Sequence, residues 1–279
     1  HESGDLEEAL LQPVDDEGNT PYQENNFEWR GEIVLSRVSL SYTPHLGDAL
    51  RDVSVKIQAG SHVAIIGSSG SGKSTLFRML TGLNSYKGGS ARIDGREIDS
   101  LTRDELNEAI AVIPQEPLLF SGPLRLSLDP RSEFQDQELI DILECISFQN
   151  FTFISSDDDF HNDKDTFDDA YPLLARGGKM TPSVLKFDIV NGGENLSVGQ
   201  RQLLCLGRAL LLKRKVLLVD EATSSIDALT ATACADALRS VVEISGCTLL
   251  LITHDPHGPL GSCCQHTLVF ENGKVKSFE

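Results

Sequence analysis

Residues 67–74 read Gly-Ser-Ser-Gly-Ser-Gly-Lys-Ser, which fits the spacing G-x-x-x-x-G-K-[S/T]. Each fixed residue in that pattern has a chemical task. Gly67, Gly70 and Gly72, with Ser68, Ser69 and Ser71 between them, let backbone N–H groups close around α- and β-phosphates. Lys73 can reach the β- and γ-phosphates, the Ser74 hydroxyl can ligate Mg²⁺, and Thr75 completes the expected cradle. A helix starting near Lys73 would aim its positive N-terminal dipole at the same anion. The flanks suit this geometry. His62-Val-Ala-Ile-Ile66 is a short apolar run of buried-strand type, and Ser74-Thr-Leu-Phe-Arg-Met-Leu80 is helix-like.

Far downstream, Lys215-Val-Leu-Leu-Val-Asp-Glu221 is an apolar strand ending in two acids. Asp220 at such a strand end can hold Mg²⁺ in a phosphate-loop enzyme, the Walker B position. Glu221 follows directly, so its carboxylate is expected on the other side of the strand tip. There it could accept a proton from an attacking water. Between the two anchors lies Asn195-Leu-Ser-Val-Gly-Gln-Arg-Gln202. Asn195 or Ser197 reads as a helix N-cap, with a helix from about Gly199 to Leu212. A serine hydroxyl and glycine backbone at a helix N-terminus make a second anion site.

The string Leu-Ser-Val-Gly-Gln200, ahead of an apolar helix and a Walker B strand, resembles the signature motif of ABC-type ATPases. The wider string 192–211, GGENLSVGQRQLLCLGRALL, is similar to the second nucleotide-binding domain of C-subfamily, multidrug-resistance-associated ABC transporters. The resemblance runs from about Gly31 to Glu279. It implies an α/β phosphate-loop ABC ATPase fold: a parallel-sheet core, an N-terminal antiparallel β lobe, and a helical lobe over about 117–210. It implies Tyr42 as the ring that stacks on adenine, and Gln115 as the residue approaching Mg²⁺ at the membrane-domain interface. It also implies residues 225–227 as the D-loop, and His254 as the switch histidine at the γ-phosphate. Lys73, Gln115, Glu221 and His254 form the implied catalytic set, and Ser74, Gln115 and Asp220 the implied Mg²⁺ set. Ser197, Gly199 and Gln200 would serve the nucleotide of a second, head-to-tail domain. The implied partners are ATP, that second domain and transmembrane domains. The implied place is the cytosolic face of a membrane, with a power-supplying role in transport.

Departures from the family pattern stand beside these matches. Asp255 replaces the arginine usual after the switch histidine. Pro256, Gly258, Pro259 and Gly261 would break the helix expected there. Ile226 is an unusual D-loop residue, and the gap before the signature predicts an insertion at about 155–186. Two readings of other classes share the motifs: a nucleotide-sensing domain of an ABC-type channel or its regulator, and a soluble ABC ATPase of nucleic-acid metabolism. The missing zinc-type cysteine pairs, the missing long coiled coil and the acidic balance stand against the latter.

The elements that must position these residues are partly visible. Strands are predicted at 33–42, 53–58 and 91–93 for the antiparallel lobe, and at 63–66, 111–113, 216–219 and 249–252 for the parallel core. Residues 268–278 read as a closing hairpin turning at Asn272-Gly273. The net charge is −18, but residues 2–28 carry −9 and residues 157–169 carry −6. The remainder, near −3, predicts a catalytic domain that is almost neutral, with an acidic linker over residues 1–30 and no affinity for nucleic acid. No apolar run approaches the roughly 20 residues that span a bilayer. The absence of Met at position 1 is consistent with a piece of a larger membrane protein. Six cysteines lack metal or disulfide spacing, so free thiols are expected.

Overall fold

The computed structural model describes residues 27–43, 47–146, 180–221 and 228–279. The acidic residues 1–26, most of the expected insertion, and the expected D-loop at 225–227 lie outside them. Two sheets form the frame. Strands β1 (Ile33–Leu40), β2 (Leu50–Ile57), β4 (Gly88–Ile93) and β5 (Arg96–Glu97) make an antiparallel sheet in the order β2-β1-β4-β5. The second sheet has the order β12-β11-β3-β10-β9-β6. It contains β3 (His62–Ile66), β6 (Ile110–Ile113), β9 (Val216–Asp220), β10 (Thr248–Ile252), β11 (His266–Glu271) and β12 (Lys274–Phe278). All its pairings are parallel except that of β11 with β12.

Alternation along the central strands explains the layering. Strand side chains point to opposite faces in turn. Val216 and Leu218 of β9 and Leu250 and Ile252 of β10 enter one core, shared with the antiparallel sheet and with α1 (Lys73–Leu80). Leu217, Val219, Leu249 and Leu251 enter the other, shared with α4 (Asp136–Cys145), α5 (Val198–Leu212) and α6 (Ala228–Ser245). A parallel sheet covered on both faces reads as nearly continuous apolar runs, as these strands do. The remaining elements are α2 (Arg103–Ala109), α3 (Leu124–Leu128) and the short pair β7 (Gly122–Pro123) and β8 (Asp188–Ile189). Thr248, fully buried, joins the lobes. Its Oγ1 donates to the Gly31 carbonyl at 2.7 Å and accepts from the Gly60 N–H at 2.8 Å.

Two expected boundaries move. Residues 27–30 pack against the domain rather than forming part of a free linker. Phe27 and Trp29 make an edge-on pair with centroids 4.8 Å apart, and the Arg96 guanidinium lies 5.2 and 5.6 Å from the two rings. The Asp94 carboxylate accepts the N–H groups of Arg30, Gly31 and Glu32. Residues 180–186 are likewise core rather than insertion: Met180, Val184 and Leu185 are buried, the last two within the 3₁₀ stretch Pro182–Lys186. Composition alone blurs such ends, because a few apolar residues at the margin of a polar stretch carry no periodicity. After β10 the helix usual in the family is broken, as Pro256, Gly258, Pro259 and Gly261 predict: residues 254–260 turn irregularly, with a 3₁₀ turn at Gly261–Cys263.

Glu97 closes the antiparallel lobe. Its carboxylate accepts from Tyr86 Oη at 2.5 Å, Arg92 Nε at 2.8 Å, Ser90 Oγ at 2.9 Å and the Ala91 N–H at 3.0 Å. Burial pushes its pKa up, but these four donors outweigh burial and hold it down at about 2. A depressed carboxylate contributes stability that is complete above its unfolded value of 4.5 and is lost as pH falls toward 2. Glu97→Gln is therefore expected to lower stability at neutral pH and to flatten the loss between about pH 5 and 2. Urea melts of both proteins across that range check this; parallel curves would show that Glu97 contributes nothing to acid sensitivity.

Candidate functional site

Parallel pairing brings the site together. Ile252 pairs with Ile65 on one side and Asp220 on the other, and Val219 pairs with Ile113. The C-terminal ends of β3, β10, β9 and β6 therefore share one edge, and the segments that follow them leave from it. Ligands of open α/β sheets bind outside such strand ends. The segments are the phosphate loop after β3, Gln115 after β6, Glu221 after β9 and His254 after β10.

The phosphate loop runs from Gly67 to Gly72, and α1 begins at Lys73. Ser68, Ser69, Gly70 and Ser74 are exposed; Ser71, Lys73 and Thr75 are buried. Lys73 Nζ donates to the carbonyls of Gly67 at 2.8 Å and Ser68 at 3.0 Å, so the ammonium stands inside the loop. Among the described residues it has no ion pair. A Cβ on Gly67 would lie 2.3 Å from the Phe270 carbonyl, so only glycine lets the loop approach β11 this closely. The turn between β11 and β12 braces the loop from behind. Gly273 N–H donates to Ser71 O at 2.9 Å, and Arg51 N–H donates to Gly273 O at 2.7 Å. Tyr42, half-exposed just beyond β1, shares a 3.0 Å hydrogen bond between its hydroxyl and Thr75 Oγ1, which places its ring beside the loop.

Asp220 and Glu221 diverge. Burial first, and the neighbouring Glu221 charge second, raise the Asp220 pKa; Lys73 and Arg78 oppose them. Glu221 has φ +43, a left-handed conformation unusual for a residue with a side chain. Its N–H donates to Ile252 O at 3.1 Å. Its carboxylate is held from two loops, by His254 Nε2 at 2.8 Å and Gln115 Nε2 at 3.2 Å. A cleft of about 470 Å³ opens between residues 115–118 and 191–201, and another of about 300 Å³ lies between His254 and α6. Glu221 lines both, and no residue of the phosphate loop lines either.

At the signature, Ser197 is the N-cap and α5 starts at Val198, one residue earlier than expected. Ser197 Oγ accepts from Gln200 N–H at 3.2 Å, and Gln200 Oε1 accepts from Ser197 N–H at 2.7 Å, a capping box. The serine oxygen is thus engaged rather than free, and Gln200 is turned inward at 2 % exposure. Ser197 itself is exposed. Asn195 ties the preceding turn to β8, accepting from Val190 N–H and donating to Asp188 O. No hydrogen bond or ion pair among the described residues joins 197–200 to 67–75. Gly199 packs on α6, where an added Cβ would meet Thr230 Cγ2 at 1.9 Å.

Sequence reasoning missed the β11–β12 brace, the Asp94 clamp and Gln202. The Asn-Gly turn was the one available signal for the brace, and it announced a hairpin without its contact. Among the described residues no group of three or more His, Cys, Asp or Glu could hold a metal. A hydroxyl and one carboxylate beside phosphate oxygens suit Mg²⁺ without such a cage.

A glycine-rich loop between a parallel strand and a helix, with two acids at the end of β9 in the same sheet, defines a phosphate-loop nucleotide-binding α/β protein. The chain belongs to the ABC transporter family, whose model matches residues 50–224, more than half of the chain. It is 35% identical over 248 residues to ATP-binding cassette sub-family C member 2 of Rattus norvegicus, covering 89% of this chain and 14% of that protein. It is 35% identical over 252 residues to the human sub-family C member 3, covering 90% and 14%. It is 33% identical over 258 residues to ABC transporter NFT1 of Saccharomyces cerevisiae, covering 91% and 16%. The chain therefore spans about a seventh of the length of these C-subfamily relatives. No described helix is long and apolar enough to cross a membrane.

The Gly199 contact generates a stability prediction. Gly199→Ala is expected to lose about 1–3 kcal/mol, the usual cost of overpacking a close helix contact. Thr230→Ser, which removes the clashing methyl, is expected to restore part of that loss in the double variant. Chemical denaturation of the four proteins checks it; additive losses would place the strain elsewhere.

Proposed function

We propose that this chain is the ATP-binding and ATP-hydrolysing domain of a C-subfamily ABC membrane transporter, of the second nucleotide-binding type, working at the cytosolic face of a membrane. One observation carries the reading: the phosphate loop, Asp220 and the Gln115–Glu221–His254 cluster leave a single edge of the parallel sheet. The donor set fits ATP with Mg²⁺. A buried ammonium with only carbonyl partners suits a polyphosphate, and an acid destabilised by burial and by its neighbour suits a cation.

In this reading Tyr42 stacks on adenine, and residues 67–75 cradle the phosphates. Lys73 exchanges its loop carbonyls for β- and γ-phosphate oxygens. Ser74, Asp220 and Gln115 hold Mg²⁺, which when bound supplies charge neutralisation at those oxygens. Glu221 takes the proton of a water that attacks the γ-phosphorus in line, the bond to the β–γ bridging oxygen breaks, and ADP leaves. His254 donates toward the γ-phosphate and orients Glu221. Catalysis of this kind is mostly positioning and charge stabilisation. Ser197, Gly199 and Gln200 complete the nucleotide of a second domain in a head-to-tail pair, and transmembrane domains receive the motion. Nucleic acid is not a partner.

Lys73→Ala is expected to abolish most ATP binding. Glu221→Gln is expected to keep binding and lose most hydrolysis, because the amide keeps the size but accepts no proton. Fluorescent-nucleotide titration and turnover with the partner domain separate the two; unchanged affinity in the first variant removes the phosphate-loop assignment.

The isolated chain is expected to be a slow ATPase whose specific activity climbs with concentration, since a missing set of γ-phosphate donors costs about 3–4 kcal/mol at the transition state. Ser197→Arg should abolish that climb. Fast turnover by a strictly monomeric chain in sedimentation would contradict a shared site.

A further inference from the structure

We infer that Gln202 is a positioning residue that ties α5 to Gln115 and thereby sets where Glu221 stands. The inference rests on the ATPase reading above. Gln202 lies on the first turns of α5 and is 1 % exposed. Its Nε2 donates to the Pro114 carbonyl at 3.3 Å. Pro114 directly precedes Gln115, whose Nε2 donates to Glu221 Oε2 at 3.2 Å, and Glu221 Oε1 meets His254 at 2.8 Å. A continuous set of contacts therefore runs from the signature helix to the proposed base. Farther along α5, Arg208 donates to Leu118 O at 2.9 Å and to Ser127 O. Residues 114–118 are thus held at both ends by one helix.

Core filling does not account for the residue. Gln202 Oε1 is buried and has no hydrogen-bond partner, while its neighbours Leu203 and Leu204 are fully buried apolar residues. An apolar side chain of similar volume would fill the same space without the orphaned Oε1, and would leave unpaired only the carbonyl of Pro114, a half-buried residue. The glutamine is therefore explained by the one bond it makes. That bond moves the Pro114–Gln115 backbone with α5. In a head-to-tail pair the N-terminus of α5 faces the partner's nucleotide. Gln202 then carries the state of that nucleotide to Glu221 of this chain, which makes the two sites interdependent.

The test compares Gln202→Leu, Gln202→Met, Gln115→Ala and the Gln202→Leu/Gln115→Ala double variant in the full-length transporter. Hydrogen exchange of the nucleotide-free protein should quicken several-fold in residues 113–118 on Gln202→Leu and stay unchanged in α1. Turnover should fall about tenfold or more with KM within twofold, as a small misplacement far from the chemistry does. In the Gln115→Ala background Gln202→Leu should add nothing, because both act through one contact. Unchanged exchange at 113–118, additive losses, or a drop in ATP affinity equal to that in turnover would each overturn the proposal. Failure of both Gln202 variants to fold would do so too, by making the residue a core element first. A parent protein that binds no ATP would sink the ATPase reading, yet the exchange result would still report whether Gln202 holds Gln115.

Discussion

The parallel register of β3, β10, β9 and β6 is the constraint on which everything else depends. Parallel strands need a crossover between them, so the chain must leave each strand end and return by a helix. Here the returns are α1, α5 and α6, and each departure lies on the same edge. The residue after each strand is therefore placed by the ladder rather than by its own loop. The segments that begin at Gly67, Gln115, Glu221 and His254 leave one edge because Ile65, Ile252, Asp220, Val219 and Ile113 are in register. A slip of one residue in any strand would exchange its core faces, and both cores resist that because each is close-packed around side chains of particular size and shape.

The antiparallel lobe and the closing hairpin support this edge from outside it. Thr248 links the entry of β1 to the start of β10, and the Asn272-Gly273 turn links the phosphate loop to β2. Asn272 and Gly273 have φ of +52 and +77, the pair of positive values a tight type I′ turn requires. The turn's shape thus lets Gly273 offer N–H to Ser71 while its carbonyl accepts from Arg51. A flexible glycine-rich loop would otherwise pay its full ordering entropy on meeting a ligand. Bracing from β11 and β12 meets part of that cost in advance.

Much of the site was legible because its residues follow elements with strong local patterns. Lys73 and Ser74 open a helix, Asp220 and Glu221 end an apolar strand, and Ser197 caps an amphipathic helix. Such signals live within ten residues or so. Four of the five parallel strands and the hairpin turn were legible for the same reason, whereas the parallel pairing of β11 with β3 was not. What was not legible is long-range. Gly273 and Ser71 are some two hundred residues apart, Gln202 and Pro114 nearly ninety, and their bonds leave no periodicity in the chain. Edges of charged stretches failed differently: Trp29 and Val184 are core residues set in polar surroundings, where average composition outvotes single side chains. The missing helix after His254 was legible, since Pro256 and Pro259 forbid it sterically.

Glu221 concentrates the tension in this arrangement. A non-glycine residue at φ +43 costs on the order of 1–3 kcal/mol and persists only if its surroundings over-determine it. Three contacts do so: the Ile252 carbonyl on its N–H, and His254 and Gln115 on its two carboxylate oxygens. The backbone contact belongs to the rigid sheet, whereas the two side-chain contacts come from exposed residues on separate loops. The carboxylate is consequently fixed in place but not in partnership. A water or phosphate oxygen can displace Gln115 or His254 without moving the backbone. Displacing either one alone leaves the other holding the carboxylate. Freeing the carboxylate completely therefore requires both loops to respond together, so its two oxygens report on the positions of two separate segments.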